Sequence, residues 1–279
     1  MSALPMRGRI LRARTSAPSS LEYFAYLPAS AQADAPLLVA VHGYSRGAAE
    51  QAERFAPLCD AAGFGLVAPH FDRARFPDYQ RLGARRERAD RALDALLAEL
   101  RSAFGMLFGR VALFGFSGGG QFVHRYAMAH PKRITSAAVA APGWFTLPTR
   151  EHAYPLGLRG ARRRIGARMR AEAFSRVAFL VAVGEHDDDA SSEHLRHSSE
   201  LDALQGSTRL ERALRWTHAM RCAASAAGCA PRVRFVEIPN AGHSFAECMD
   251  AGLGELVLEH AGAPRRGVRA TGKRLVALP

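Results

Sequence analysis

The sequence predicts an α/β fold, a mainly parallel sheet with helices packed on both faces. Two observations predict it. Short apolar runs alternate with stretches of helical spacing along most of the chain, the order that successive βαβ units produce. The runs are apolar throughout rather than at every second position, so each strand is buried on both faces. The 279 residues suffice for one large domain whose core needs neither disulfides nor a metal.

An early strand is expected over 21–27, rich in aromatic residues and closed by Pro28. The run Leu37-Leu38-Val39-Ala40-Val41 is a buried strand. Residues 50–62 have helical spacing and end at Gly63, a C-terminal cap. A short strand follows over 64–68, stopped by Pro69. The stretch 86–104 is a helix with Ala89, Leu93, Leu96, Leu97 and Leu100 on one face. Then come a strand at 110–114, a glycine-flanked turn, a helix at 121–130 and a small-residue strand at 134–140 that ends at Pro142-Gly143. Buried strands are expected at 177–183 and 233–238, and helices at 208–227 and 247–259. Residues 144–176 interrupt the alternation with Arg, Gly and Pro and read as a cap-like insertion. Residues 1–260 thus form a single domain, followed by a basic tail at 261–279 that is expected to be loosely ordered.

Composition narrows the function classes. The hydrophobic share of 48% and charged share of 23% are those of an ordinary globular protein. No apolar run is long enough to span a membrane, and the first residues lack the apolar core of a signal peptide. Cys59, Cys222, Cys229 and Cys248 are scattered, which suits free thiols and a cytoplasmic location. The net charge is +12, carried almost wholly by arginine. An anionic substrate would account for it as well as codon bias; no recognition motif supports a nucleic-acid partner.

The sharpest motif is Gly115-Phe116-Ser117-Gly118-Gly119, between a buried strand and a helix. A serine hydroxyl becomes a nucleophile only when held out of the fold beside a base. A sharp strand-to-helix turn does this at the cost of a strained serine, and it demands small residues two before and two after. The amide of Gly118 then points to where an oxyanion would form. An acid and a base should follow in chain order after later strands. Gly184-Glu185-His186-Asp187 and Gly242-His243 fill those places. Upstream, Val41-His42-Gly43-Tyr44 leaves a buried strand at the point where a second oxyanion donor is expected, the amide of Tyr44. His42 precedes the serine and reads as a brace, not as the base.

These motifs resemble the α/β-hydrolase superfamily over about 21–260, and the chain is loosely similar to bacterial esterases related to polyhydroxybutyrate depolymerases and feruloyl esterases. The resemblance implies a Ser117–His243–Asp187 triad, an oxyanion hole at Tyr44 and Gly118, and a small cap between the sixth strand and the acid-bearing strand. It implies a serine hydrolase acting on a small-molecule carboxylic ester through an acyl-enzyme, with no cofactor and no metal. In this fold the chain after the sixth strand often lies over the nucleophile. Trp144, Phe145 and Tyr154 would then wall a substrate pocket, and Arg162, Arg163 and Arg164 would either stand at its rim and steer an anionic substrate or solvate an outer helix face.

Some alternatives stay open. Asp187, Asp188 and Asp189 are consecutive, and only the Gly-x-x-Asp spacing selects Asp187. An EF-hand over 187–198 fails because Ser192 stands where glycine is needed and Ser198 where glutamate is. An amidase, a peptidase or an acyltransferase would use the same triad, and a silent relative would keep the fold to bind a ligand or partner.

Overall fold

In the computed structural model the described residues are 7–16, 20–82, 87–192 and 194–263. Part of the expected helix at 86–104, position Glu193 and most of the basic tail (264–279) lie outside them. The described residues build one eight-stranded sheet in the order β1-β2-β4-β3-β5-β6-β7-β8. The strands are β1 (Leu11–Arg14), β2 (Glu22–Tyr26), β3 (Leu37–Val41), β4 (Gly65–His70), β5 (Val111–Phe116), β6 (Ile134–Ala140), β7 (Ala178–Gly184) and β8 (Val233–Ile238). Strands β3 to β8 run parallel, while β2 is antiparallel to both β1 and β4.

The continuous apolar runs do what two-sided burial requires. Leu38 and Ala40 point to one face of the sheet, where α1 (Ala48–Ala62), α8 (Phe245–Asp250) and α9 (Leu253–Ala261) pack. Leu37, Val39 and Val41 point to the other face, under α2 (Ala89–Phe104), α3 (Gly118–Ala129) and α7 (Arg209–Ala226). Each face thus has its own apolar core, which accounts for strands without polar alternation.

Two expectations are corrected. Pro69 does not end its strand: β4 continues through it, paired with Tyr23 of β2. The β3 ladder has already ended at Val39–Val67, so the missing proline N–H removes no bond on that side. The helix expected at 247–259 is two helices, broken at Gly252, whose φ of 92° suits glycine. The edge strand β1 and the helix α6 (Ser199–Gln205) were not expected, because neither carries a strong apolar period.

Residues 144–176 form the crossover from the end of β6 to the start of β7. They include the short helices α4 (Ala161–Ile165) and α5 (Ala171–Phe174). The four cysteines are free thiols. Among the described residues, no helix is long and apolar enough to cross a membrane.

Candidate active site

Ser117 sits where β5 gives way to α3, with φ 52° and ψ −113°. A residue with a side chain adopts such angles only when its surroundings impose them. The packing around it supplies the constraint. A side-chain carbon on Gly115 would overlap the backbone of Gly119 and Gly120, and one on Gly119 would overlap the carbonyl oxygens of Val41 and His42. The chain turns this sharply because both positions are glycine, and the turn leaves the serine hydroxyl accessible at the C-terminal end of the strands.

His243 follows β8 and reaches that hydroxyl. Its Nε2 lies 3.1 Å from Ser117 Oγ, and its Nδ1 lies 2.7 Å from Asp187 Oδ2. The Phe116 ring stacks on the imidazole at 5.2 Å, fixing its plane. Asp187 follows β7 and is buried, and its Oδ1 accepts a hydrogen bond from Arg209 Nη1 at 3.0 Å. Asp188 and Asp189 are exposed. Asp189 Oδ1 accepts from the amide and hydroxyl of Ser191 at 2.8 and 2.7 Å. Of the three aspartates, Asp187 is the one that meets the histidine. A carboxylate on Nδ1 keeps the imidazole proton there and leaves Nε2 as an acceptor facing the hydroxyl.

The backbones of Tyr44 and Gly118 lie close together: a side-chain carbon on Gly118 would stand 3.4 Å from the Tyr44 nitrogen. Tyr79 braces this corner by donating to the His42 carbonyl at 2.7 Å. Gln80 Nε2 donates to the Tyr44 hydroxyl.

His42 is buried and braces the loop, as its position suggested. Its Nδ1 donates to the Gly43 carbonyl at 2.8 Å, and its Nε2 accepts from the Phe71 amide at 3.0 Å. His124 on α3 repeats the pattern between the Gly120 carbonyl and the Thr146 amide. Protonating either Nε2 would set two donors against each other. Burial pushes His42 down from 6.5 to about 3, and burial lowers His124 and His260 as well. The unfolded chain therefore takes up protons below pH 6.5 that the folded chain refuses, and stability falls as pH falls. Each such histidine contributes up to about 1.4 kcal/mol per pH unit. Denaturant titrations should show unfolding free energy declining from pH 7 to 5, with a shallower slope in His42→Gln. Equal stability at both pH values would contradict this account.

The predicted pocket wall is largely not one. Phe145 is fully buried: its ring stacks on Trp216 at 4.8 Å, and its backbone is bonded at both ends by Gln205. Tyr154 is buried and donates to the Arg81 carbonyl at 3.0 Å. Both pack the crossover onto the sheet. Trp144 follows the Ala140 carbonyl, which accepts from the Ser117 amide, and stays at the serine's end of the sheet.

Arg162, Arg163 and Arg164 are exposed on α4. Arg162 and Arg163 line a cavity of about 600 Å³ together with Arg150, Arg168 and Arg170. An adjoining groove shares Arg150 and Arg170 and continues to Arg110, Ile134 and Arg232, at the N-terminal ends of β5, β6 and β8. Ser117 lies at the other end of β5. Those arginines accordingly do not rim the serine.

Sequence reasoning missed Arg209. It is the first residue of α7, behind a capping box in which Thr208 and Glu211 satisfy each other's backbone. A cation there opposes the helix dipole, and that opposition was the available signal of a carboxylate brought from elsewhere. Among the described residues, no group of three or more His, Cys, Asp or Glu side chains is placed to hold a metal ion.

No protein-family model matches the sequence, and no curated protein matches it. Solved structures do. Poly(aspartic acid) hydrolase-1 from Sphingomonas sp. KT-1 superposes with a TM-score of 0.78 at 23% identity, over 89% of this chain and 98% of that one. A poly(3-hydroxybutyrate) depolymerase from Bordetella parapertussis gives 0.72 at 26% identity, over 88% and 85%. An S-formylglutathione hydrolase from Agrobacterium tumefaciens gives 0.55 at 15%, over 91% and 94%. The chain has the fold of the α/β-hydrolase superfamily.

Proposed function

We propose that this α/β-hydrolase-fold chain is a serine hydrolase that cleaves a carboxylic ester. The observation that carries the reading is the unbroken hydrogen-bonded line from Asp187 through His243 to a Ser117 held at a positive φ. The similar structures are named as a poly(aspartic acid) hydrolase, a poly(3-hydroxybutyrate) depolymerase and an S-formylglutathione hydrolase, which supports a hydrolytic reaction class.

The chemistry follows from the geometry. Ser117 Oγ attacks the substrate carbonyl as His243 Nε2 takes its proton. Asp187 holds the imidazole in the required tautomer and stabilises the imidazolium. The carbonyl oxygen becomes an oxyanion, held in this reading by the amides of Gly118 and Tyr44; backbone donors fixed by the fold need little reorganisation as charge develops. The imidazolium protonates the leaving alcohol and an acyl-enzyme remains. Water, giving its proton to His243, then releases the acid. An amide would pass through the same steps, so the walls of the pocket decide between the two.

The test is covalent. A fluorophosphonate probe should label the native chain on Ser117, and Ser117→Ala should remain unlabelled. A folded native chain that resists the probe would return the protein to the class of silent ligand-binding relatives.

A further inference from the structure

Beside the serine stands a group of cations that the reaction does not use. Arg125 projects from α3, eight residues after Ser117, about 12 Å along a helix axis. It is fully buried, yet no carboxylate pairs with it among the described residues. Its Nη1 donates to the Gln80 carbonyl at 2.7 Å and to the Gln121 carbonyl at 3.1 Å; its Nε donates to Thr146 Oγ1 at 2.9 Å. Its Nη2 has no hydrogen-bond partner. Burial, with the nearby Arg81 adding to it, lowers its pKa to about 10.

The Arg125 guanidinium lies 4.2 Å from the centre of the Trp144 ring. Two more guanidinia approach the same ring, Arg81 at 5.6 Å and Arg196 at 5.8 Å. They come from separate segments: Arg81 from the turn Tyr79–Arg81, and Arg196 from the loop after Asp187. Neither forms an ion pair among the described residues, and Arg81 Nε is buried without a partner. Attraction to the ring face offsets only part of the mutual repulsion of three cations. Burying a charge without a counter-ion is costly, so the cluster stores an unmet demand for negative charge.

Its place ties that demand to the serine. Gln121 is one helical turn past Ser117; its side chain lies beside the Gly143 backbone and its carbonyl receives Arg125. Gln80 joins Arg125 to the Tyr44 hydroxyl. The cluster therefore borders the serine's side of the molecule, whereas the arginines of α4 do not. Arg196 is exposed and Arg81 half-buried, so these two can meet a bound molecule while Arg125 acts from beneath Trp144.

We infer that Arg81, Arg125 and Arg196 around Trp144 form an anion subsite of the active site, selecting substrates that carry a carboxylate a few bonds from the scissile carbonyl. A carboxylate suits the two accessible forks, since a planar guanidinium pairs with two oxygens side by side. The inference rests on the hydrolase reading and narrows its substrate class.

The test compares mono-p-nitrophenyl glutarate with neutral p-nitrophenyl valerate. The native enzyme should favour the anionic ester in kcat/KM, and raising salt should erode the preference. Arg196→Gln, and more strongly Arg81→Gln with Arg196→Gln, should lower the ratio of the two kcat/KM values by about tenfold or more. The triple change Arg162→Gln, Arg163→Gln and Arg164→Gln should leave the ratio as it is. Glutarate, which has the charge and no scissile bond, should raise the Tm of Ser117→Ala and lose that effect when Arg81 and Arg196 are replaced. That binding measurement works without turnover, so it separates loss of the subsite from loss of the hydrolase reading. An unchanged ratio in the double variant, or a glutarate shift that survives in it, overturns the inference.

Discussion

Ser117→Ala should abolish ester turnover and leave the fold in place, with kcat falling by about 10⁶-fold, as for loss of the nucleophile in a hydrogen-bonded triad. The hydroxyl lies 3.1 Å from His243 Nε2, and no other hydroxyl is placed against that nitrogen among the described residues. Alanine keeps the side-chain carbon and removes only the oxygen, so packing at the bend is unchanged. Relief of the serine's backbone strain is not expected, because φ is imposed by the close passage of Gly115 and Gly119 and not by the hydroxyl. Thermal unfolding of the variant should therefore match the native chain closely. Turnover within a few-fold of native in a folded Ser117→Ala protein would remove Ser117 from the mechanism.

The same bend shows how much of the site the sequence carries. The two glycines, the serine and the flanking apolar strand are contiguous, so local sterics alone identify the turn. Strands β3, β6 and β7 were legible for a related reason, since a run buried on both faces needs no knowledge of its neighbours. Asp187 and His243 were legible because they end successive parallel strands, and such ends converge on one side of the sheet. What escaped depends on contacts between distant segments. Phe145 and Tyr154 follow Trp144 in sequence, and proximity to a strand end suggested a pocket wall. In the fold Trp216 and the Arg81 carbonyl claim them for the core. The α4 arginines lie in the insertion between the sixth strand and the acid-bearing strand, and no local pattern tells which end of the sheet they reach. The chain must descend from the end of β6 to the start of β7, and its second half goes with it. The Trp144 cluster assembles from four segments, and no periodicity announces it.

Asp187→Asn should cost about 10⁴-fold in kcat through the wrong imidazole tautomer, and Arg209 makes the outcome more certain than the change of charge alone would. Arg209 Nη1 donates to Asp187 Oδ1 at 3.0 Å and to Ser192 Oγ at 3.2 Å, and the carboxylate is the counter-ion of this buried guanidinium. An asparagine at 187 has one oxygen to give. Turned toward Arg209, it presents its NH₂ to His243 Nδ1, which must then accept, so the imidazole proton moves to Nε2 and faces the serine hydroxyl. Turned toward His243, it sets an NH₂ against a buried guanidinium. The first arrangement costs less, and it is the one that disables the base. The variant also leaves the Arg209 charge without its counter-ion, a loss on the order of 3 kcal/mol. Unfolding measurements should therefore show Asp187→Asn destabilised while Ser117→Ala is not. Asp188→Asn and Asp189→Asn remove exposed carboxylates that do not touch the histidine, and each should hold kcat within about tenfold, near 1.4 kcal/mol of barrier. A large loss in Asp188→Asn with Asp187→Asn near native would move the acid to the neighbouring residue and take Arg209 out of the site.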